Sequence, residues 1–340
     1  MRILVTGGAG FVGSHLSRRL MDEGAEVFTY DSFQHYLPPI PVTYVENMNY
    51  RFQKLLDGAH IEWGATQSKE DFRAYARRVQ PQCVIHLAAL AIPSVARSHQ
   101  QEAFDSILLG SVNVLDVLRE IDSVERFVYV SSSMVYGDFT QNPMPEDGAK
   151  DPKEIYGGLK LSGEILTRVL SGQHDVPYSI VRPSAAYGPT DNNRRVLQIF
   201  IENAIRGEGI KAANPGSTFL DFTYVSDLAD GIARVATSPA AAREDFNITR
   251  GEQRSLGEAI DILSKIFPDL EIEREEGVAD FRPSRGTLDI SKARELVGYS
   301  PRYSLEAGIE EYVRFMVDHN PSLGEGRPTF RLQGNQVVRG

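Results

Sequence analysis

Tyr156 and Lys160 stand four positions apart, a spacing that puts both side chains on one helical face. A phenol ordinarily titrates near about 10. An ammonium beside it stabilises the phenolate, so such a tyrosine could exchange a proton with a sugar or alcohol hydroxyl near neutral pH. The same spacing also describes an exposed helix pair, and with 14 tyrosines in the chain it arises readily by chance. Position adds to it. Ser131-Ser132-Ser133 follows the apolar run Phe127–Val130, which sets hydroxyls at a strand end. Ser132 could hold a substrate oxygen beside the phenol; a loop or cap serine is the alternative.

A second group of residues is suited to a phosphate. The short apolar run Ile3–Val5 leads into Gly7, Gly10 and Gly13, and amphipathic helix spacing follows. Such a strand–turn–helix unit brings backbone close to a pyrophosphate, whose charge meets the free N–H groups of the helix. The next apolar stretch, Val27–Tyr30, ends in Asp31. A carboxylate there accepts both hydroxyls of an adenosine ribose and repels a 2′-phosphate, which points to NAD rather than NADP.

These residues need a sheet to position them. Strands are predicted at Ile3–Val5, Glu26–Tyr30, His60–Trp63, Cys83–Leu87, Arg126–Val130 and Tyr178–Val181. Helices are predicted near Val12–Met21, Lys69–Val79, Phe104–Ile121, Gly157–Leu170 and Leu197–Ile205. The alternation makes the fold α/β, a Rossmann-like doubly wound parallel sheet with ligands beyond the strand C-terminal ends. After about Tyr187 the pattern changes, with an extended Phe219–Tyr224 and helices at Leu256–Phe267, Ser291–Val297 and Leu305–Val317, so a smaller C-terminal lobe is expected. The segment Phe33–Asp57 is less regular: Pro38-Pro39-Ile40-Pro41 breaks any element, and Tyr50–Leu56 forms a short helix. It reads as a surface excursion in preference to a flap near the adenosine. The tail from Asn320 is either an ordered strap or a loose end.

Composition sets the outer bounds. The chain has 340 residues, is 41% hydrophobic and 24% charged, and carries a net charge of −10, ordinary for a soluble enzyme. No basic block suggests a nucleic-acid reader, and an anionic substrate would need local arginines. The one cysteine, Cys83, lies in an apolar run and excludes disulfide scaffolding. No run reaches membrane-spanning length and no leader is recognised, so a cytoplasmic location is expected. The seven histidines have no metal-ligand spacing, and no metal is expected.

In these motifs the chain resembles the extended short-chain dehydrogenase/reductase family, in its branch of NAD-dependent nucleotide-sugar epimerases and dehydratases. The resemblance is carried by Thr6-Gly7-Gly8-Ala9-Gly10-Phe11-Val12-Gly13, His86-Leu87-Ala88-Ala89, Ser131-Ser132-Ser133-Met134-Val135-Tyr136-Gly137, Tyr156-Gly157-Gly158-Leu159-Lys160, Arg182-Pro183-Ser184-Ala185-Ala186-Tyr187-Gly188-Pro189 and Asp221-Phe222-Thr223-Tyr224-Val225. It implies a catalytic trio of Tyr156, Lys160 and Ser132. It implies NAD contacts at Gly7, Gly10, Phe11, Val12, Gly13, Asp31, Leu87, Ala88 and Ala89 as well as Tyr156 and Lys160. It also implies an NAD-binding domain over 1–187, a mainly substrate-binding lobe over 188–320 with elements returning to the core, and a tail over 321–340. A homodimer is implied, pairing the helix before Ile121 with the one carrying Tyr156.

The residues after Ser132 separate the branch's activities. Family dehydratases resemble one another in an Asp-Glu pair where Ser133 and Met134 stand; decarboxylases place glutamate, and one 3,5-epimerase cysteine, where Met134 stands. Methionine neither donates nor abstracts a proton. The resemblance therefore implies inversion at C4 of a nucleoside-diphosphate sugar through a transient 4-keto sugar, with the dehydratase, decarboxylase or net reductase as alternatives. Ser133 and Met134 are candidate sugar contacts. The family often has Asn at the positions of Ile107 and Ala185, Arg at Leu220 and Asp at Ala65. With those polar groups missing, the diphosphate falls to Arg194, Arg195, Arg282 and Arg285.

Overall fold

The computed structural model describes residues 1–36, 40–275, 283–324, 330–333 and 336–339, the last two segments as backbone. Pro38, Pro39 and Arg282 lie outside the described residues. The chain opens with β1 (Arg2–Thr6), whose Ile3 and Val5 enter one buried cluster while Leu4 enters another. Side chains alternate across a strand, so β1 is covered on both faces, which is why it reads as a continuous apolar run. The chain continues through α1 (Phe11–Asp22), β2 (Glu26–Asp31), and α2 (Tyr44–Tyr50) prolonged by a π-helical turn (Arg51–Leu55). Then come β3 (His60–Trp63), α3 (Lys69–Val79), β4 (Cys83–His86), α4 (Pro93–Ser98), α5 (Gln100–Ala103) with a second π-helical stretch (Phe104–Leu109), and α6 (Gly110–Leu118). The sheet half closes with β5 (Arg126–Val130), α7 (Ile155–His174) and β6 (Tyr178–Arg182).

Beyond β6 the elements are shorter: β7 (Ala186–Tyr187), α8 (Val196–Ile205), β8 (Ile210–Ala213), β9 (Phe219–Asp221), β10 (Thr223–Tyr224) and α9 (Val225–Thr237). They are followed by β11 (Glu244–Asn247), β12 (Gln253–Ser255), α10 (Leu256–Ile266), β13 (Ile272–Glu275), α11 (Ser291–Val297), α12 (Leu305–His319) and a hairpin of β14 (Phe330–Gln333) and β15 (Gln336–Arg339).

Seven parallel strands form the main sheet in the order β3-β2-β1-β4-β5-β6-β11. One face is covered by α1, α9 and α11, through Leu16, Leu20, Leu228, Ile232 and Val297. The other is covered by α3 and α6, through Phe72, Tyr75, Val114 and Leu118. The fold is thus the doubly wound α/β sheet expected. A second core, including Phe200, Ile201, Ile260, Leu263, Ile309 and Tyr312, joins α8, α10 and α12 beside it.

Three departures from the sequence reading have physical causes. The helix expected over Phe104–Ile121 is broken by the π-helical stretch; there the Ser111 hydroxyl takes the Ile107 carbonyl and faces His86. β11 was not expected at all, since only Phe246 and Asn247 of its four residues are buried and it is an edge strand. The excursion after β2 is no surface ornament: Phe33, Tyr36, Tyr44, Met48 and Arg51 all line the central cleft. Phe104, Leu109, Ile165 and Val169 are exposed apolar side chains on the two helices named in the expected pairing.

Candidate active site

A cleft of about 1020 Å³ opens at the C-terminal ends of β1, β2, β4 and β5 and runs across to the second core. Gly7, Gly10, Phe11, Val12 and Gly13 line one end, with Leu87, Ala88 and Ala89 beside them. Gly13 is dictated by close approach: a Cβ there would stand 2.1 Å from the Gly7 carbonyl oxygen. The first turn of α1 therefore presses onto the loop, leaving its N–H groups facing outward for a diphosphate. Asp31 closes this end, accepting the amides of Ala9 and Phe33 at 2.9 and 2.8 Å. Burial pushes its pKa up, and those amides together with the Arg51 charge oppose the shift. Gly64 and Ala65 also line this end. The residues present fit a dinucleotide with a ribose diol at Asp31.

The opposite side of the cleft is built by α7. Its buried stripe includes Tyr156, Lys160 and Glu164, spaced four and four, so one face presents all three. Each grips the end of β5. Tyr156 lies beside Ser132, whose hydroxyl acts on its phenol, Lys160 Nζ donates to the Val130 carbonyl at 2.8 Å, and Glu164 accepts the Ser131 hydroxyl at 2.6 Å. The helix approaches this closely because Gly163 has no Cβ, which would lie 2.1 Å from the Tyr129 hydroxyl. Ser132 also caps the 3-10 turn Ser133–Tyr136 by accepting the Met134 amide. Ser132 is thus a cap serine that also lies beside the phenol.

Glu164 is the residue that sequence reasoning missed; its signal is the continued four-residue spacing after Lys160. It is fully buried and held in two parallel bonds by Arg182 at the end of β6, each 2.7 Å. Arg182 also donates to Asp245 of β11 at 2.6 Å and to the Tyr136 hydroxyl at 3.0 Å. Burial pulls the Arg182 pKa down, but the Glu164 hydrogen bonds and charge outweigh it and hold the guanidinium above its usual value.

Electrostatics refine the tyrosine's expected behaviour. Burial raises the Tyr156 pKa, against the opposing pull of Arg195, the Ser132 hydrogen bond and Arg285. Arg195 and Arg285 are cations that act on the phenol. Burial lowers the Lys160 ammonium to about 8, with Glu164 opposing. Around the phenol the wall is apolar: Leu90, Ile92, Val95, Ile107 and Met134 pack in one buried cluster with Tyr156. Met134 lines the cleft, and the isoleucine at 107 packs in the same cluster away from the cleft lining. Ser133 lines the cleft, and its hydroxyl has no partner among the described residues.

Of the four arginines expected at the diphosphate, Arg195 and Arg285 line the cleft. Arg195 sits over the Phe11 ring at 5.6 Å and reaches Asp191 at 3.5 Å. Arg194 is exposed and outside the cleft lining; its backbone amide, at a φ of +49°, is spent on Gln198. Arg282 lies outside the described residues.

Two histidines are structural. His86 lies between Thr6 and Ser111, at 2.7 and 3.0 Å. With the proton on Nε2 it accepts from Thr6 and donates to Ser111, so a neutral ring satisfies both. Burial lowers it to about 3, and lowers His15, which contacts the Pro189 carbonyl, to about 4. Among the described residues no group of three or more His, Cys, Asp or Glu could hold a metal ion, and no helix is long and apolar enough to cross a membrane.

Comparison with known proteins places this geometry in context. The model of the NAD dependent epimerase/dehydratase family matches residues 3–249. The chain is 29% identical over 323 residues to the UDP-glucose 4-epimerase of Mycolicibacterium smegmatis, covering 93% of this chain and 98% of that protein. It is 30% identical over 318 residues to UDP-glucuronic acid decarboxylase 6 of Arabidopsis thaliana, covering 91% and 87%. The crystal structure of UDP-glucuronic acid 4-epimerase from Bacillus cereus with UDP-glucuronic acid and NAD superposes with a TM-score of 0.83 at 27% identity, covering 94% of this chain and 99% of that one.

Two stability outcomes follow. Removing one partner of a buried pair strands the other's charge, so Arg182→Met should cost about 3–5 kcal/mol in urea unfolding, and Glu164→Met added to it should recover part of that. A double variant no better than Arg182→Met would contradict the pairing. His15 and His86 are neutral when folded and titrate near 6.5 when unfolded. Their contribution is therefore complete above pH 6.5 and declines as the pH falls toward 4, by about 1.4 kcal/mol per pH unit for each ring. His15→Gln should flatten the measured slope between pH 6 and 5 by one proton's worth.

Proposed function

The chain belongs to the NAD dependent epimerase/dehydratase family, and on that footing we propose that it inverts C4 of a nucleoside-diphosphate sugar through a transient 4-keto sugar. The observation that carries this reading is Met134, packed against Tyr156 in an apolar cluster. Loss of water or of a carboxylate in this branch calls on an acidic group beside the trio, and methionine supplies none. Among the described residues that line the cleft, the carboxylates are Asp31, at the dinucleotide turn, and Glu154, whose Oε1 meets Arg97 at 3.5 Å and whose Oε2 is buried without a hydrogen-bond partner among the described residues.

Bound NAD, held at the Gly-rich turn and Asp31, would supply reversible hydride chemistry at the sugar carbon. Everything else falls to this chain. Tyr156 takes the C4 hydroxyl proton and gives it back, aided by the pull of Arg195 and Arg285 on its phenol. Ser132, within hydrogen-bond reach of that phenol, steadies the same oxygen in both of its states. Lys160, pinned to the Val130 carbonyl, holds the strand end and offers its remaining N–H donors to the cofactor's ribose. The apolar wall of Ile92 and Met134 imposes few fixed hydrogen bonds, which suits a sugar that must turn over between two presentations. Arg285 and Arg195 also supply positive charge for the diphosphate against a chain charge of −10.

Incubation with a panel of UDP-hexoses, UDP-N-acetylhexosamines and UDP-uronates, read by product NMR, tests the reading. A C4-inverted product with no net NADH is expected, and Tyr156→Phe should lower kcat by about a hundredfold or more. A 4-keto-6-deoxy sugar, a pentose with released carbon dioxide, or an undiminished Tyr156→Phe would overturn it.

A further inference from the structure

The excursion between β2 and β3 joins three places that otherwise face one another across the cleft. Arg51, at the start of its π-helical turn, is 5% exposed and lines the cleft. Its Nη1 donates to the Ala9 carbonyl of the Gly-rich turn at 3.1 Å, and its Nη2 to the Thr190 carbonyl in the loop before α8. Nε is buried without a partner among the described residues. The charges of Asp31 and Asp191 act on the guanidinium, yet the two oxygens that accept from it among the described residues are neutral carbonyls. Burying a guanidinium on neutral acceptors is costly, and the arrangement leaves positive charge beside the turn where a diphosphate belongs.

The helix preceding Arg51 is fastened to the second core. Asn47 donates to Asn192 at 2.8 Å and accepts from Asn320 at 3.0 Å. Thr43 donates to Glu202, and Glu46 accepts both the amide and the hydroxyl of Ser322. Tyr50 meets Phe315 and His319 edge-on, with ring centroids 4.8 and 5.0 Å away. These contacts join residues between 145 and 276 positions apart and tie α2 to α8, α12 and the turn after it.

We infer that Arg51 is a further NAD-binding residue and that α2 with its π-helical turn is a strap, fixed at both ends, that keeps the dinucleotide from leaving. This deepens the reaction proposed above, since a sugar oxidised at C4 is stranded if the reduced cofactor departs. The guanidinium supplies charge for the diphosphate, the Ala9 and Thr190 carbonyls fix its direction, and the asparagine contacts of α2 keep the strap closed.

The test is release of NAD itself from the purified, NAD-loaded protein after rapid desalting, followed with no sugar present, in wild type, Arg51→Gln and Asn47→Ala. Circular dichroism and thermal midpoints report folding of each. Arg51→Gln should release NAD about tenfold faster or more, as expected for loss of a charge-assisted contact. Asn47→Ala, which alters the strap away from the turn, should release it several-fold faster while its intact Arg51 keeps the salt dependence of wild type. Wild-type release rates in both variants would overturn the strap. If Arg51→Gln does not fold, Asn47→Ala decides alone: faster release supports the strap and an unchanged rate removes it. Because no sugar is used, an unchanged rate leaves the C4 reaction standing, and a failed sugar panel leaves the strap standing.

Discussion

A fully buried guanidinium, Arg182, held in two bonds by the equally buried Glu164, is the contact on which the rest of the site depends. Neither ion could stay in the interior alone. Together they fix α7 against the ends of β6 and β5, and Asp245 draws the edge strand β11 into the same knot. Once α7 is fixed, its four-residue period leaves little freedom. Lys160 must fall on the Val130 carbonyl and Tyr156 on Ser132. A buried ion pair contributes little net stability by itself. What this one contributes is orientation, because three consecutive strand-end residues are each held by a different turn of one helix.

That frame gives the phenol its surroundings, on which the proposed chemistry rests. Burial works against phenolate formation, and the two arginines across the cleft work for it. Lys160 is fixed by its bond to the Val130 carbonyl, which sets its ammonium at the same strand end as Ser132. Met134 makes the wall beside it inert, with Ile107 packed in the same buried cluster. A site with one proton-transferring group and a smooth apolar wall is suited to a reaction that is its own reverse at a single carbon. The same features serve poorly for eliminating water, where two groups must act on adjacent carbons.

Much of this was legible in the sequence because periodicity reports burial. The strands of the sheet centre are apolar on both faces, and the glycine spacing, Asp31 and the Tyr156–Lys160 pair all carry local signals. What was not legible depends on partners far away in the chain. Glu164 looks like any helical glutamate until Arg182 is placed opposite it. β11 is half polar because it lies at the edge. The segment after β2 reads as irregular, and its prolines suggest a surface; the buried Arg51 that makes it part of the cleft has no local pattern at all. Among the candidate arginines, charge alone could not separate Arg195, which crosses the cleft over Phe11, from Arg194, whose left-handed backbone accompanies an exposed side chain.

The central claim is that one hydrogen leaves the sugar's C4 and returns to the opposite face of that same carbon while Tyr156 alone carries the proton. A nucleoside-diphosphate sugar deuterated at C4, converted in ordinary water and analysed by NMR and mass spectrometry, addresses it directly. Product inverted at C4 with the deuterium still on that carbon is the outcome required. Inverted product whose label has been exchanged for solvent hydrogen would contradict it.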